Sequence, residues 1–150
     1  MGELLPQDLR GLTLRQPWNW AILHAGKPVE NRPMRAPRAQ AGKWFALHAG
    51  AVYDEKGAEW IRTTFGLLVP GPAEVPLSCI TALVKLGDCY RAGDLTKPAT
   101  PWAFGPWCYE IADKFILQQP ETHGGMNGWW RVAELVRHRL AAAFAAGKAA

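Results

Sequence analysis

The chain has 150 residues, 49% of them hydrophobic and 20% charged, which is the composition of a globular domain and excludes a disordered segment. Seventeen Lys and Arg against 13 Asp and Glu give a formal charge of +4, a balance that permits a polyanionic partner without requiring one. No apolar run is long enough to span a bilayer, and Met1–Leu12, with Glu3, Pro6 and Asp8, lacks the apolar stretch of a signal peptide, so no membrane is expected and a cytoplasmic location is.

Leu12–Arg15 alternates apolar and polar residues and predicts a short strand. Pro17 suits the first position of a helix, where its missing N–H costs nothing, and Trp18, Ala21, Ile22 and Ala25 recur at helical spacing. Gly26 is the expected C-cap, so the first helix is predicted over Pro17–Ala25. Val29–Arg32 is extended again, and Arg32–Gly42 is a basic, proline-containing loop. Lys43–Gly50 predicts a strand with Trp44, Ala46 and His48 on one face and Phe45 and Leu47 on the other. Asp54 is placed to cap a helix running to about Thr64, with Trp60, Ile61, Thr64 and Phe65 on its buried side.

Long strands are predicted over Ser78–Cys89 and Trp107–Leu117, separated by a loop rich in Gly and Pro over Tyr90–Pro106. A glycine-rich turn region follows at Pro120–Gly128, then a short strand or helix lead-in at Trp129–Val132. A C-terminal amphipathic helix is predicted over about 133–146, its apolar stripe formed by Val132, Leu135, Val136, Leu140, Ala143 and Phe144. These elements predict one α+β domain over 1–150 with its core at about 11–132: a small, strongly curved or closed mixed β-barrel with flanking helices.

Cys79, Cys89 and Cys108 are odd in number and widely spaced, so reduced thiols are expected. The four histidines show no metal-ligand spacing, and neither a metal nor a cofactor is expected. Eight tryptophans are many for this length; each indole N–H needs a partner, so some rings should line a cleft or a binding surface.

The chemistry-bearing residues concentrate near the first helix. Lys27, in the turn after Gly26, suits a phosphate, or a base or nucleophile if desolvated; an ordinary solvated lysine is the plainer reading. Glu30 and Arg32 share a strand face, either as a structural ion pair or with Arg32 binding phosphate while Glu30 orients Lys27 or accepts a proton. Arg15 and Gln16 precede the helix, whose first N–H groups favour an anion. Trp18 lies on the apolar stripe, and Trp20 is the freer ring. His48 is either a satisfied histidine under the sheet or a contact to a base edge or phosphate. Arg35 and Arg38, with Lys43, form a solvated loop or an electrostatic funnel for a backbone. Trp102 and Phe104, with Trp107, either stack a splayed base or plug the end of the barrel.

The run Leu12–Pro33, with its Pro17-Trp18 helix start and the spacing Gly26, Lys27, Glu30, Arg32, resembles the activating signal cointegrator homology (ASCH) family of the PUA-like superfamily. Leu47-His48-Ala49, Gly105-Pro106-Trp107 and the Gly125, Gly128, Trp130 spacing match further parts of that pattern, and the similarity covers residues 11–132. The resemblance implies a PUA-like β-barrel and a nucleic-acid cleft beside the first helix. Some members are nucleases or amidohydrolases acting on acylated nucleosides. The amidohydrolase branch carries Lys-Thr-x-Thr at this turn and a further Glu later. Here Glu30 stands in place of the second Thr, and no later Glu matches.

Three functions follow as expectations. The first is a binding module for RNA or for single-stranded or modified nucleic acid, using Arg15, Gln16, Trp20, Lys27, Arg32, Arg35, Arg38, His48, Trp102 and Phe104. The second is a metal-free hydrolase acting on RNA or a modified nucleoside, with Lys27 and Glu30 as its catalytic pair. The third is a protein-interaction domain using the proline loops and the C-terminal helix.

Overall fold

The structure, a computed structural model, describes residues 3–149. Met1, Gly2 and Ala150 lie outside the described residues, and with them the start of the stretch weighed above as a signal peptide. The elements in chain order are β1 (Arg10–Gln16), α1 (Trp18–His24), β2 (Val29–Arg32), β3 (Trp44–Tyr53), α2 (Glu55–Phe65), β4 (Cys79–Arg91), β5 (Trp107–Thr122), β6 (Trp129–Arg131) and α3 (Glu134–Ala149). The class is α+β. Six strands form one mixed sheet in the order β2-β5-β4-β3-β1-β6, with β1 and β3 parallel and the other pairs antiparallel. Among the described residues no helix is long and apolar enough to cross a membrane.

The sheet is strongly curled. Three register shifts interrupt the long β4–β5 pair, and each such bulge adds local twist and bend. The ladder nevertheless does not close: β2 and β6 remain unpaired edges, so the expected closed barrel is replaced by an open, curled sheet. The curl brings β2 back toward β1, where Arg32 Nη2 donates to the Thr13 carbonyl at 2.8 Å. A side chain bridges the gap that backbone pairing leaves.

The central strands β3 and β4 are buried on both faces. Trp44, Ala46, Ile80 and Leu83 pack under α3. Phe45, Leu47, Ala82 and Val84 pack on the other side with Ile22 and Leu23 of α1. Of the stripe expected for the C-terminal helix, Val132 just ahead of α3 and Val136, Leu140 and Phe144 on it are buried; Leu135 is 74% exposed and Ala143 is exposed. A four-residue spacing gives a narrow seam, which suffices for one contact line against a sheet. On α2, Asp54 caps as expected, accepting from the Gly57 N–H at 2.9 Å, and the buried side is Gly57, Ala58 and Ile61, with Thr64 exposed. The first helix is shorter than expected: Pro17 stands at its N-cap, and the helix stops at His24. Its last carbonyls, on Ile22 and Leu23, accept from Lys114 Nζ of β5 at 2.9 and 3.3 Å. That tie anchors the end of α1 to the sheet just ahead of the Lys27 turn.

Candidate functional site

The opening between the curled edges is a cleft of about 660 Å³. Its walls come from β1 (Thr13, Leu14, Arg15), α1 (Trp18), the turn into β2 with β2 itself (Lys27, Glu30, Asn31, Arg32), β3 (His48), Phe104 of the β4–β5 loop and the glycine-rich segment His123–Asn127.

Gly26 takes φ +76°, a left-handed turn that costs an L side chain energy, and so swings the chain out of α1 and directs Lys27 inward. Lys27 is 3% exposed. Its Nζ donates to Glu30 Oε1 at 2.9 Å and lies 5.2 Å from the centre of the Trp18 ring. The other carboxylate oxygen, Glu30 Oε2, accepts from Arg32 Nε at 3.0 Å. One carboxylate thus holds two cations, each on its own oxygen. An unpaired buried charge would cost several kcal/mol, so the three side chains depend on one another. Both oxygens of Glu30 are occupied, and the group acts first as the clamp that positions Lys27 and Arg32.

His48, 2% exposed, is tied at both nitrogens. Its Nε2 lies 2.6 Å from the His123 carbonyl, which only accepts, so Nε2 carries the proton. Nδ1 then accepts from the Thr13 hydroxyl at 3.1 Å, and that hydroxyl accepts from Trp130 Nε1 at 3.0 Å. The chain of bonds runs in one direction and requires a neutral imidazole. Burial holds its pKa below the ordinary 6.5, the nearby His123 ring acts in the same sense, and the bond to the His123 carbonyl opposes them more weakly. His48 anchors the glycine-rich segment to the sheet. Gly125 packs so closely here that a Cβ would stand 2.4 Å from Thr13 Oγ1 and 2.7 Å from His48 Cε1.

Two further residues set the cleft mouth. Asn31, between Glu30 and Arg32, donates from Nδ2 to the Trp102 carbonyl at 2.9 Å. Its Oδ1 accepts from the Phe104 and Gly105 N–H groups at 2.9 and 2.8 Å. The same strand that carries Glu30 and Arg32 therefore pins the loop that presents Phe104, which is 52% exposed. Asp54 fixes Trp18 by accepting from its Nε1 at 2.9 Å. Burial raises the Asp54 pKa, but the bonds from Trp18, Gly57 and the Lys56 N–H together with the charge of Arg15 outweigh it and leave the carboxyl below its ordinary value.

Of the residues singled out in the sequence, Arg15, Lys27, Glu30, Arg32, His48 and Phe104 meet at the cleft. Trp18, placed on the apolar stripe of the helix, lines the cleft as well, half-buried. Gln16, Trp20, Trp102, Arg35 and Arg38 do not line it. Gln16 is 1% exposed; its Nε2 donates to the Pro76 carbonyl and its Oε1 takes the Trp20 N–H at 2.9 Å, so the side chain itself occupies the helix start that was expected to face an anion. Trp20 is half-buried against the cluster containing Ala21, Val29 and Trp102. Trp102 is 5% exposed and stacks on Phe65 at 4.3 Å, in the core and not at a binding surface. Arg35 lies over the Trp107 ring at 5.6 Å, and Arg38 sits exposed in a 3-10 turn.

Sequence reasoning missed Thr13, Asn31 and the His123–Asn127 wall. The signal available for Asn31 was its place inside the Glu-x-Arg pair. The signal for the wall was the density of glycine, which permits close backbone approach.

A search of protein-family models finds none that matches the chain, and a search of curated proteins finds no match.

Proposed function

We propose that the chain is a nucleic-acid-binding module that draws RNA, or another single-stranded or modified strand, into the cleft beside α1. The observation that carries this reading is the meeting of Lys27, Glu30 and Arg32, the residues of the ASCH-like motif, in one cleft together with Arg15, Trp18 and Phe104. Cations there attract a phosphate, and the aromatic rings offer a flat apolar wall to a base. On this reading the curled sheet is a PUA-like barrel left open at the β2–β1 gap, and the module works in the cytoplasm.

The test is fluorescence anisotropy of a short labelled RNA over a salt series. Three cleft cations on a single strand give an expected log–log slope of about −2. A salt-independent affinity, or no binding at low salt, overturns the proposal.

A second reading, a metal-free hydrolase acting on RNA or an acylated nucleoside, is favoured by one observation: Lys27 Nζ stands 2.9 Å from Glu30 Oε1 at the cleft. Product formation in the presence of a chelator, abolished by Lys27→Arg because a guanidinium keeps its proton, separates it from simple binding.

A further inference from the structure

The charge balance of the cleft goes further than a general attraction to nucleic acid. Its wall carries three basic side chains, Arg15, Lys27 and Arg32, and a single carboxylate, Glu30. Among the described residues no other Asp or Glu lines it. His48 is held neutral by the bonds described above, so the wall has an excess of two positive charges. Asp54 feels the charge of Arg15 but does not line the cleft and forms no ion pair with it; its two oxygens accept from Trp18 Nε1 and the Gly57 N–H.

Donor capacity is left over on each cation. Lys27 Nζ uses one N–H on Glu30. Arg32 uses Nε on Glu30 and Nη2 on Glu30 and the Thr13 carbonyl. Arg15 is exposed and, among the described residues, makes no hydrogen bond or ion pair. An internal phosphodiester brings one negative charge and two free oxygens. A terminal phosphate monoester brings about −1.5 to −2 at neutral pH and three oxygens. The monoester is the group that matches both the excess charge and the spare donors of three cations.

We infer that the cleft binds the end of a strand, a terminal nucleotide bearing a phosphate monoester, with Arg15, Lys27 and Arg32 around the phosphate and Phe104 beside the base. This rests on the nucleic-acid reading above and narrows it from a strand to its phosphorylated end. Arg15 is then the residue that distinguishes ends. Lys27 and Arg32 are each paired with Glu30, whereas Arg15 makes no ion pair among the described residues.

The experiment compares one eight-nucleotide RNA in three forms: 5′-phosphate, 3′-phosphate and both ends hydroxyl. Each is measured by competition against the labelled hydroxyl-ended RNA. Wild type is compared with Arg15→Gln, a change at an exposed side chain on which no described contact of the fold depends; circular dichroism checks that the variant folds. The expected result is that one phosphorylated end binds about tenfold more tightly than the hydroxyl form, the scale of one charge-assisted contact, and that Arg15→Gln removes most of that difference. Whichever end shows the gain identifies the source of the phosphate. Equal, salt-dependent binding of all three forms overturns the inference and leaves the nucleic-acid reading standing. No binding of any form overturns both. A preference for one end that Arg15→Gln leaves unchanged overturns the assignment of the phosphate to these three cations.

Discussion

The two sides of the central strands are closed by different means. Under α3, Trp44, Leu83, Leu140 and Phe144 bury apolar surface against apolar surface, with Trp44 and Phe144 meeting edge to face at 4.8 Å. At the cleft, burial falls on Lys27, Glu30 and His48, each hydrogen-bonded to another residue of the wall. Apolar packing is non-directional and forgiving of small shifts. A buried polar group left without a partner loses its hydration with nothing in return. The α3 side therefore supplies stability, and the cleft side uses some of it to hold charges in a fixed array. An array of that kind is what a charged ligand needs, because no reorganisation is required when it arrives.

The sharpest break of this contrast is Phe144→Ala. The ring is 1% exposed and touches both Trp44 and Phe115. Its removal should cost about 4 kcal/mol in denaturant unfolding while leaving the RNA affinity of the folded fraction unchanged. A change in affinity equal to the change in stability would show that the two sides are not separable.

Glu30→Gln attacks the other side. It leaves Lys27 and Arg32 facing each other without their carboxylate and should destabilise by about 3 kcal/mol. With Glu30 seen as the clamp between two cations, the expected outcome is weaker binding, read from the same anisotropy titration at a temperature where the variant stays folded.

Gly125→Ala probes the wall segment alone. A methyl group would enter the space of Thr13 Oγ1 and His48, so overpacking should cost about 2 kcal/mol. Crystallography or amide exchange should show the shift confined to residues 123–128.

The smallest effect is on pH. His48 has a folded pKa below its ordinary 6.5, so the unfolded chain takes up this proton first as pH falls. Its contribution to stability is therefore intact above about 6.5 and is lost as pH drops toward the lower folded value. Melting temperatures at pH 7.5 and 5.5 should fall more in wild type than in His48→Gln. An equal fall in both would place the titrating group elsewhere.

Much of the framework was legible in the chain, for reasons that are local. Asp54 before a helical stripe predicts its own cap because the bonded N–H lies three residues on. Gly26 followed by Lys27, Glu30 and Arg32 predicts a turn and a strand face within seven residues, and those side chains do meet. The alternation of β3 placed Trp44 and Phe45 on opposite faces, as periodicity requires.

What only the tertiary structure decided are the pairings across long loops. Periodicity does not distinguish Trp102 from Phe104, and although the alternation of β1 puts Gln16 on the buried face of Leu12 and Leu14, it does not name the partner waiting there. Those choices depend on Asn31, Phe65 and Pro76 arriving from elsewhere in the chain. His48 meets the His123 carbonyl 75 residues away, and Lys114 reaches the end of α1 from 92 residues away. Whether the sheet closes was beyond the sequence for the same reason. Bulges in β4–β5 set the curl, and the register of one long antiparallel pair is fixed by the sum of its side-chain contacts on both faces. A local pattern states which face a residue prefers; which partner waits there is a property of the folded whole.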